Sequence, residues 1–362
     1  MKIKWNVLVL FSTFLLLTGC MPSKSVEESA IVQISGYDRG GEKGRIKGTV
    51  SIPQYGKSEK KTAASELYLT VDANSIKDVE KEIQKQSSKP ISIGKLAVTL
   101  YSMELAKEGI SDVIDVLSRD ARLSRNMYLA VVDGQTQDLI ENGYTQDETT
   151  SKHLQGLIEN NVHHNFPSTS LHEFLYAYFA IGMDPYLPIL SKKETFVEVS
   201  GIAFFDKGKV VTTLSDAKVF TFKMMKENFS RGMQDLPFQD GTIMLDNIGS
   251  TVDYKLTGTP ENPGVDIHVK LESEVNEMVG VEEKPSPKLA KEMEDAFVEY
   301  FKTNAGEMIE LFKKEGIDPL GLGHFAKTRT RHFDEKRWED LYPDMDIQFT
   351  VDVEITEYGI FS

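Results

Sequence analysis

Residues 346–356 alternate without a break. Ile347, Phe349, Val351, Val353 and Ile355 fall on one side, and Gln348, Thr350, Asp352, Glu354 and Thr356 on the other. Successive side chains of a strand point to opposite faces, so this pattern specifies a strand with one covered face. A slip of one residue would turn all five apolar side chains to water. The natural cover lies just upstream. Leu289, Met293, Phe297, Tyr300 or Phe301, Asn304, Met308, and Leu311 or Phe312 recur on one helical face, Ser286 stands where a cap belongs, Pro287 at the first helical position, and Gly316 just past the end. Unbroken, that helix is a rod of about 45 Å at 1.5 Å per residue. Gly306 is the place where it could be interrupted. Residues 286–362 are therefore expected to form a long helix packed on a sheet.

A chain of 362 residues is long enough for two or three domains, and 40% hydrophobic with 27% charged residues is the balance of a folded chain, excluding disorder or a polytopic membrane protein. Residues 30–192 read as mixed α and β, without the regular alternation of a doubly wound fold. Strands are expected at Arg45–Ile52, Glu66–Val71, Lys95–Leu105 and Asn126–Asp133. Ser75 opens a helix with Ile76, Val79 and Ile83 inward, and Ser111 is placed as the cap of another that buries Val113, Ile114 and Leu117. Leu154, Leu157, Ile158 and Val162 suggest a further helix, and Leu171, Phe174, Leu175, Tyr178 and Phe179 form one helical face. The polar stretch Ser191–Thr195 reads as a boundary. Residues 196–281 then form a strand-rich section with a hairpin at Asp206-Lys207-Gly208-Lys209, a helix after Ser215, and strands over 241–275 interrupted by a loop at 257–264. Val281–Pro287 is the second boundary. The expected fold is α+β: three consecutive mixed domains at 30–192, 196–281 and 286–362.

The N-terminal segment reads as an address. Lys2 and Lys4 precede a short apolar run, which with the residues to position 19 forms an expected signal peptide, too short to span a bilayer comfortably. The run ends in Leu17-Thr18-Gly19-Cys20, a bulky aliphatic residue, two small residues and the chain's single cysteine. That is the pattern of a bacterial lipobox, in which the Cys thiol receives a diacylglyceryl group before cleavage. Residues 20–29 would be a polar tether, and Cys20 the lipidated anchor. A lone cysteine excludes an internal disulfide framework and any Cys-rich zinc site. The formal net charge of −15 argues against nucleic acid as a partner.

Catalytic patterns are missing. No Gly-x-Ser-x-Gly elbow or Gly-x-Gly-x-x-Gly fingerprint occurs, and Gly56-Lys57-Ser58 lacks the first glycine of a P-loop, having Ser51 in its place. His163-His164 and His172-Glu173 invite a metal site, but Tyr176 stands where the zincin pattern needs its second histidine. The expectation is a non-enzymatic protein without cofactor or metal. Lys327, Arg329, Arg331, Lys336 and Arg337 form a basic run in an acidic chain. The plain reading is a solvated loop beside Asp334, Glu335 and Glu339. The functional reading is a docking edge built on Arg329, Arg331 and Arg337, with Trp338 and Phe333 as aromatic anchors.

The order of pieces resembles the C-subunit (Ger(x)C) lipoproteins of bacterial spore germinant receptors. The resemblance spans nearly the whole chain. It rests on the lipobox, on Ser170-Leu171-His172-Glu173-Phe174 followed by Asp184-Pro185-Tyr186-Leu187-Pro188, and on Gly201-Ile202-Ala203-Phe204-Phe205 with its hairpin. It rests further on the long helix, Asp318-Pro319-Leu320-Gly321-Leu322-Gly323, Trp338, Tyr342-Pro343 and the terminal strand. Met21-Pro22 departs from the Trp-Asp pair often found after the lipidated cysteine. The resemblance implies a three-domain ectodomain anchored on the outer face of the cytoplasmic (spore inner) membrane. It also implies two membrane-embedded partner subunits, one A-type and one permease-like B-type, and a function in receptor assembly or signalling. The competing expectation is the solute-binding lipoprotein of a transporter, which would show two α/β lobes around a cleft.

Overall fold

An eight-stranded and a four-stranded sheet organise the residues that the computed structural model describes, 28–41, 44–54, 65–144, 148–259, 261–281 and 286–358. The signal segment, Leu17, Thr18, Gly19, Cys20, the tether up to residue 27 and Gly56-Lys57-Ser58 lie outside the described residues. The strands are β1 (Ala30–Ile31), β2 (Ile34–Arg39), β3 (Ile46–Gln54), β4 (Ser65–Ala73), β5 (Ile91–Ser92), β6 (Val98–Ser102), β7 (Tyr128–Asp133), β8 (Tyr186–Lys192), β9 (Val197–Asp206), β10 (Lys209–Ser215), β11 (Met233–Phe238), β12 (Gly241–Thr259), β13 (Asn262–Val279) and β14 (Asp346–Tyr358). The helices are α1 (Ile76–Gln86), α2 (Met103–Glu108), α3 (Ser111–Arg119), α4 (Thr136–Ile140), α5 (Thr150–His163), α6 (Leu171–Phe179), α7 (Val219–Lys226), α8 (Pro287–Glu315), α9 (Leu322–Arg329) and α10 (Glu335–Leu341).

The large sheet runs β10-β9-β8-β7-β6-β2-β3-β4. Its central pairs β2–β6, β6–β7 and β7–β8 are parallel and its outer pairs antiparallel. Helices cover both faces, so the central strands are apolar on both sides. In β7, Leu129 and Val131 enter one core while Ala130 and Val132 enter the other. Ser75 caps α1 by accepting from the Asp78 N–H at 3.2 Å, and Ile76, Val79 and Ile83 are buried. The strand expected over Lys95–Leu105 is shorter, because Ser102 ends it and caps α2 through the Leu105 N–H. Ser111 does not cap α3. It is the first helical residue, and its hydroxyl donates to the Lys207 carbonyl at 2.9 Å, tying α3 to the β9–β10 turn. Phe179 also departs from expectation and is 64% exposed. At about 100° per residue it has turned past the stripe set by Leu171, Phe174 and Leu175.

The two expected boundaries do not separate sheets. β8 and β9 are an antiparallel hairpin, with Leu187 opposite Ala203 and Lys192 opposite Val197, and the Lys193 N–H donates to the Phe196 carbonyl. The polar stretch is thus a turn inside the large sheet. β9 and β10 complete that sheet, whereas β11, β12 and β13 join β14 from beyond the second boundary. A polar, charged segment is what an exposed turn and a linker both require, so composition does not tell them apart. Strand pairing also replaces the expected loop at 257–264. Gly258 pairs with Pro263 and Thr259 with Asn262, and β14 begins to pair only at Gly264, just past the proline that lacks an N–H.

The small sheet is covered by the long helix as the alternation requires. Phe297 and Phe301 of α8 share a core with Leu245, Val269, Leu271, Val351, Val353 and Ile355. Ser286 caps α8, Pro287 occupies its first turn, and Gly316 ends it in the left-handed conformation at φ 67. Gly306 leaves the helix unbroken and faces open space.

Candidate functional site

Two Asp-Pro segments far apart in sequence meet at the junction of the two sheets. Asp184-Pro185 follows α6 and leads into β8, and Asp318-Pro319 follows α8 and leads into α9. A proline disfavours helix for the residue before it, and each aspartate lies in the non-helical segment past the end of its helix, at Phe179 and Glu315. The Asp318 N–H donates to Asp184 Oδ2 at 2.7 Å, and the Asp184 N–H donates to the Asp318 carbonyl at 3.0 Å. The Asp318 carboxylate accepts from the N–H groups of Gly321 (2.8 Å), Leu322 (3.0 Å) and Gly323 (2.7 Å). These are first-turn donors of α9 that would otherwise lack partners. Lys226, at the end of α7, donates to the carbonyls of Pro319 and Leu320 at 2.8 and 3.0 Å.

The backbones touch. The His324 N–H donates to the Gly182 carbonyl at 2.7 Å, and a Cβ on Gly323 would stand 2.8 Å from the Gly182 Cα and 2.6 Å from Trp338 Nε1. Gly182 and Gly321 hold φ of 71 and 77, which suits glycine at both turns.

Burial dominates the electrostatics. It pushes the Asp184 carboxyl up to about 7, with the charges of Asp318, Asp206 and Glu339 acting in the same direction and the Asp318 N–H opposing. It pushes Asp318 up to about 6 against three N–H donors and Lys226, and it pushes the Lys226 amine down to about 8. A cleft of about 430 Å³ opens beside the junction, with Asp184, Asp206, Asp318, Glu335 and Glu339 among its walls. None of its lining residues is a serine, cysteine or histidine, so it presents no nucleophile with an imidazole base. Among the described residues no group of His, Cys, Asp and Glu is arranged to hold a metal ion. His163 ends α5, His164 lies against the Asn160 carbonyl, and His172 stands exposed on α6. What the junction does chemically is to fasten α6–β8, α7 and α8–α9 to one another.

The basic run lies on the outer side of this junction. Lys327, Arg329, Arg331, Lys336 and Arg337 are exposed, and the Arg329 guanidinium lies 3.8 Å from the centre of the Phe325 ring. Trp338 is not an exposed anchor, which corrects the expectation. It is 7% exposed, lies 5.7 Å from the Phe333 ring, and packs over Gly323 as the buried residue of α10. The interlock of Asp184 with Asp318 was missed from sequence, although the repeated Asp-Pro with nearby glycines was its signal.

Comparison with known proteins gives the family. Residues 22–192 match the model described as spore germination protein N-terminal domain, and residues 200–359 the model described as spore germination B3/GerAC like, C-terminal. The chain is 28% identical over 362 residues to spore germination protein GerQC of Bacillus cereus, covering 99% of each. It is 20% identical to the putative spore germination protein YfkR of Bacillus subtilis (strain 168), covering 96% of this chain and 94% of that one. The crystal structure of the GerBC protein matches in fold with a TM-score of 0.60 at 16% identity, over 89% of this chain and 97% of that one. Matched in both halves by these models, the chain belongs to the Ger(x)C family of spore germination proteins.

Proposed function

We propose that this chain is the C subunit of a nutrient germinant receptor and works by binding rather than by catalysis. The observation that carries this is the family match over both halves of the chain. The interlocked junction supports it, because the two Asp-Pro segments that marked the resemblance meet as a structural fastening and not as a catalytic set. Cys20, behind Leu17, Thr18 and Gly19, carries the lipid that holds the chain to the outer face of the spore inner membrane. No helix among the described residues is long and apolar enough to cross a membrane, consistent with an anchor of another kind. The partners are two membrane-embedded subunits, an A-type and a permease-like B-type, and Arg329, Arg331 and Arg337 form a docking edge towards them. The test is purification of the full chain from detergent-solubilised spore membranes. The expected result is thioether-linked lipid on Cys20 by mass spectrometry and co-purification of both subunits. An unmodified Cys20, or a chain recovered without either subunit, contradicts the proposal.

A further inference from the structure

Residues of α6 and α9, together with Ser118 and Arg125, line an open groove of about 510 Å³. Arg125, His172, Tyr176, Phe179, His324 and Lys327 are among its walls. None of its lining residues is acidic, although the chain has 56 Asp and Glu against 41 Lys and Arg. Glu173 of the same helix and Glu227 line an adjoining cleft that shares Tyr176 with this groove and also holds Lys226. The apolar content of the groove is open to water: Tyr176 is 50% and Phe179 64% exposed. Its walls are nonetheless held. The Tyr176 hydroxyl and His324 Nε2 are hydrogen-bonded at 2.8 Å with the rings edge-on at 5.5 Å, and Arg125 donates to the Ser118 carbonyl at 2.8 Å. Exposed aromatic rings beside arginine on an open groove with fixed walls are the composition of a protein-binding surface.

We propose that this groove docks a segment of a partner protein in which carboxylates flank an apolar side chain. The apolar side chain enters between Tyr176 and Phe179, and the carboxylates pair with Arg125 and Lys327. Positive charge in a groove free of acids, on a chain of net charge −15, selects an anionic occupant. Two exposed aromatic rings beside arginine, on walls held by hydrogen bonds, fit a peptide segment. Identification of the partner as one of the membrane-embedded subunits rests on the receptor-subunit proposal above.

The test places a photocrosslinker in the full chain in spores, Phe179→p-benzoylphenylalanine, with the A-type and B-type subunits separately tagged. The expected result is an adduct with one subunit whose crosslinked peptide contains Asp or Glu beside an apolar residue. In an Arg125→Glu, Lys327→Glu background that adduct should fall about tenfold or more through like-charge repulsion. Both replaced side chains are exposed, so an unchanged melting temperature of this variant keeps the comparison interpretable. Adducts with lipid, adducts with a second copy of the chain, no adduct, or a yield indifferent to charge reversal each overturn the proposal. Deletion of the chain separates the two claims. A lost nutrient response without the adduct leaves the receptor proposal standing and removes only this one, whereas an intact response removes the receptor proposal itself.

Discussion

Asp184→Asn isolates the electrostatics of the junction. In the folded protein burial raises the Asp184 carboxyl from 3.8 to about 7. An acid raised in this way binds its proton more tightly when folded. Its stabilising contribution is complete below the unfolded value and is lost as pH rises through about 7. Asp318, raised to about 6, acts with the same sign. Asparagine keeps an Oδ1 acceptor for the Asp318 N–H and removes the ionisation. At about 1.4 kcal/mol per unit, the Asp184 shift sets a ceiling of about 4 kcal/mol at alkaline pH. Partial exposure of Asp184 and relaxation around it reduce the expected gain to about 1–2 kcal/mol near pH 8, falling towards zero only below about pH 4. Urea unfolding of variant and wild type at both pH values, followed by circular dichroism, measures the difference directly, and the background repulsion of an acidic protein cancels between them. A difference that stays constant with pH, or a variant less stable than wild type near pH 8, refutes the reasoning.

Other substitutions test other parts of the structure. Phe297→Ala removes a fully buried ring that stacks on Phe301 at 5.9 Å, and should cost about 3–5 kcal/mol in the same unfolding measurement. A loss below about 1 kcal/mol would contradict the helix-on-sheet packing. Gly323→Ala pushes a methyl against Gly182 and the Trp338 indole, and should destabilise by about 1–3 kcal/mol, with a change in tryptophan fluorescence. Changing Arg329, Arg331 and Arg337 together to Glu should leave the melting temperature close to wild type while weakening co-purification of the partner subunits. Unchanged co-purification would leave that segment a solvated edge.

What the sequence disclosed was local, and what it concealed was pairing between distant segments. The alternation of β14 and the apolar stripe of α8 each follow from one repeated geometry, so Val351, Val353 and Phe297 could be assigned to a core without knowing their partners. Ser286, Pro287 and Gly316 marked the helix ends for the same reason. That β14 lies parallel to β13, or that β9 returns against β8, depends on contacts no short window contains. Trp338 lies in a charged run and so read as exposed, yet its burial is decided by the small surface of Gly323 across the junction. Asp184 and Asp318 were visible as chain punctuation. That they bond to each other, 134 residues apart, was not.

The receptor assignment is tested most directly by the germination of spores that lack this chain, measured nutrient by nutrient as loss of optical density. Such spores should lose or slow their response to the nutrients served by this receptor while responding normally to the others, and the intact gene should restore what was lost. Normal germination of the deletion spores with every nutrient would contradict the assignment.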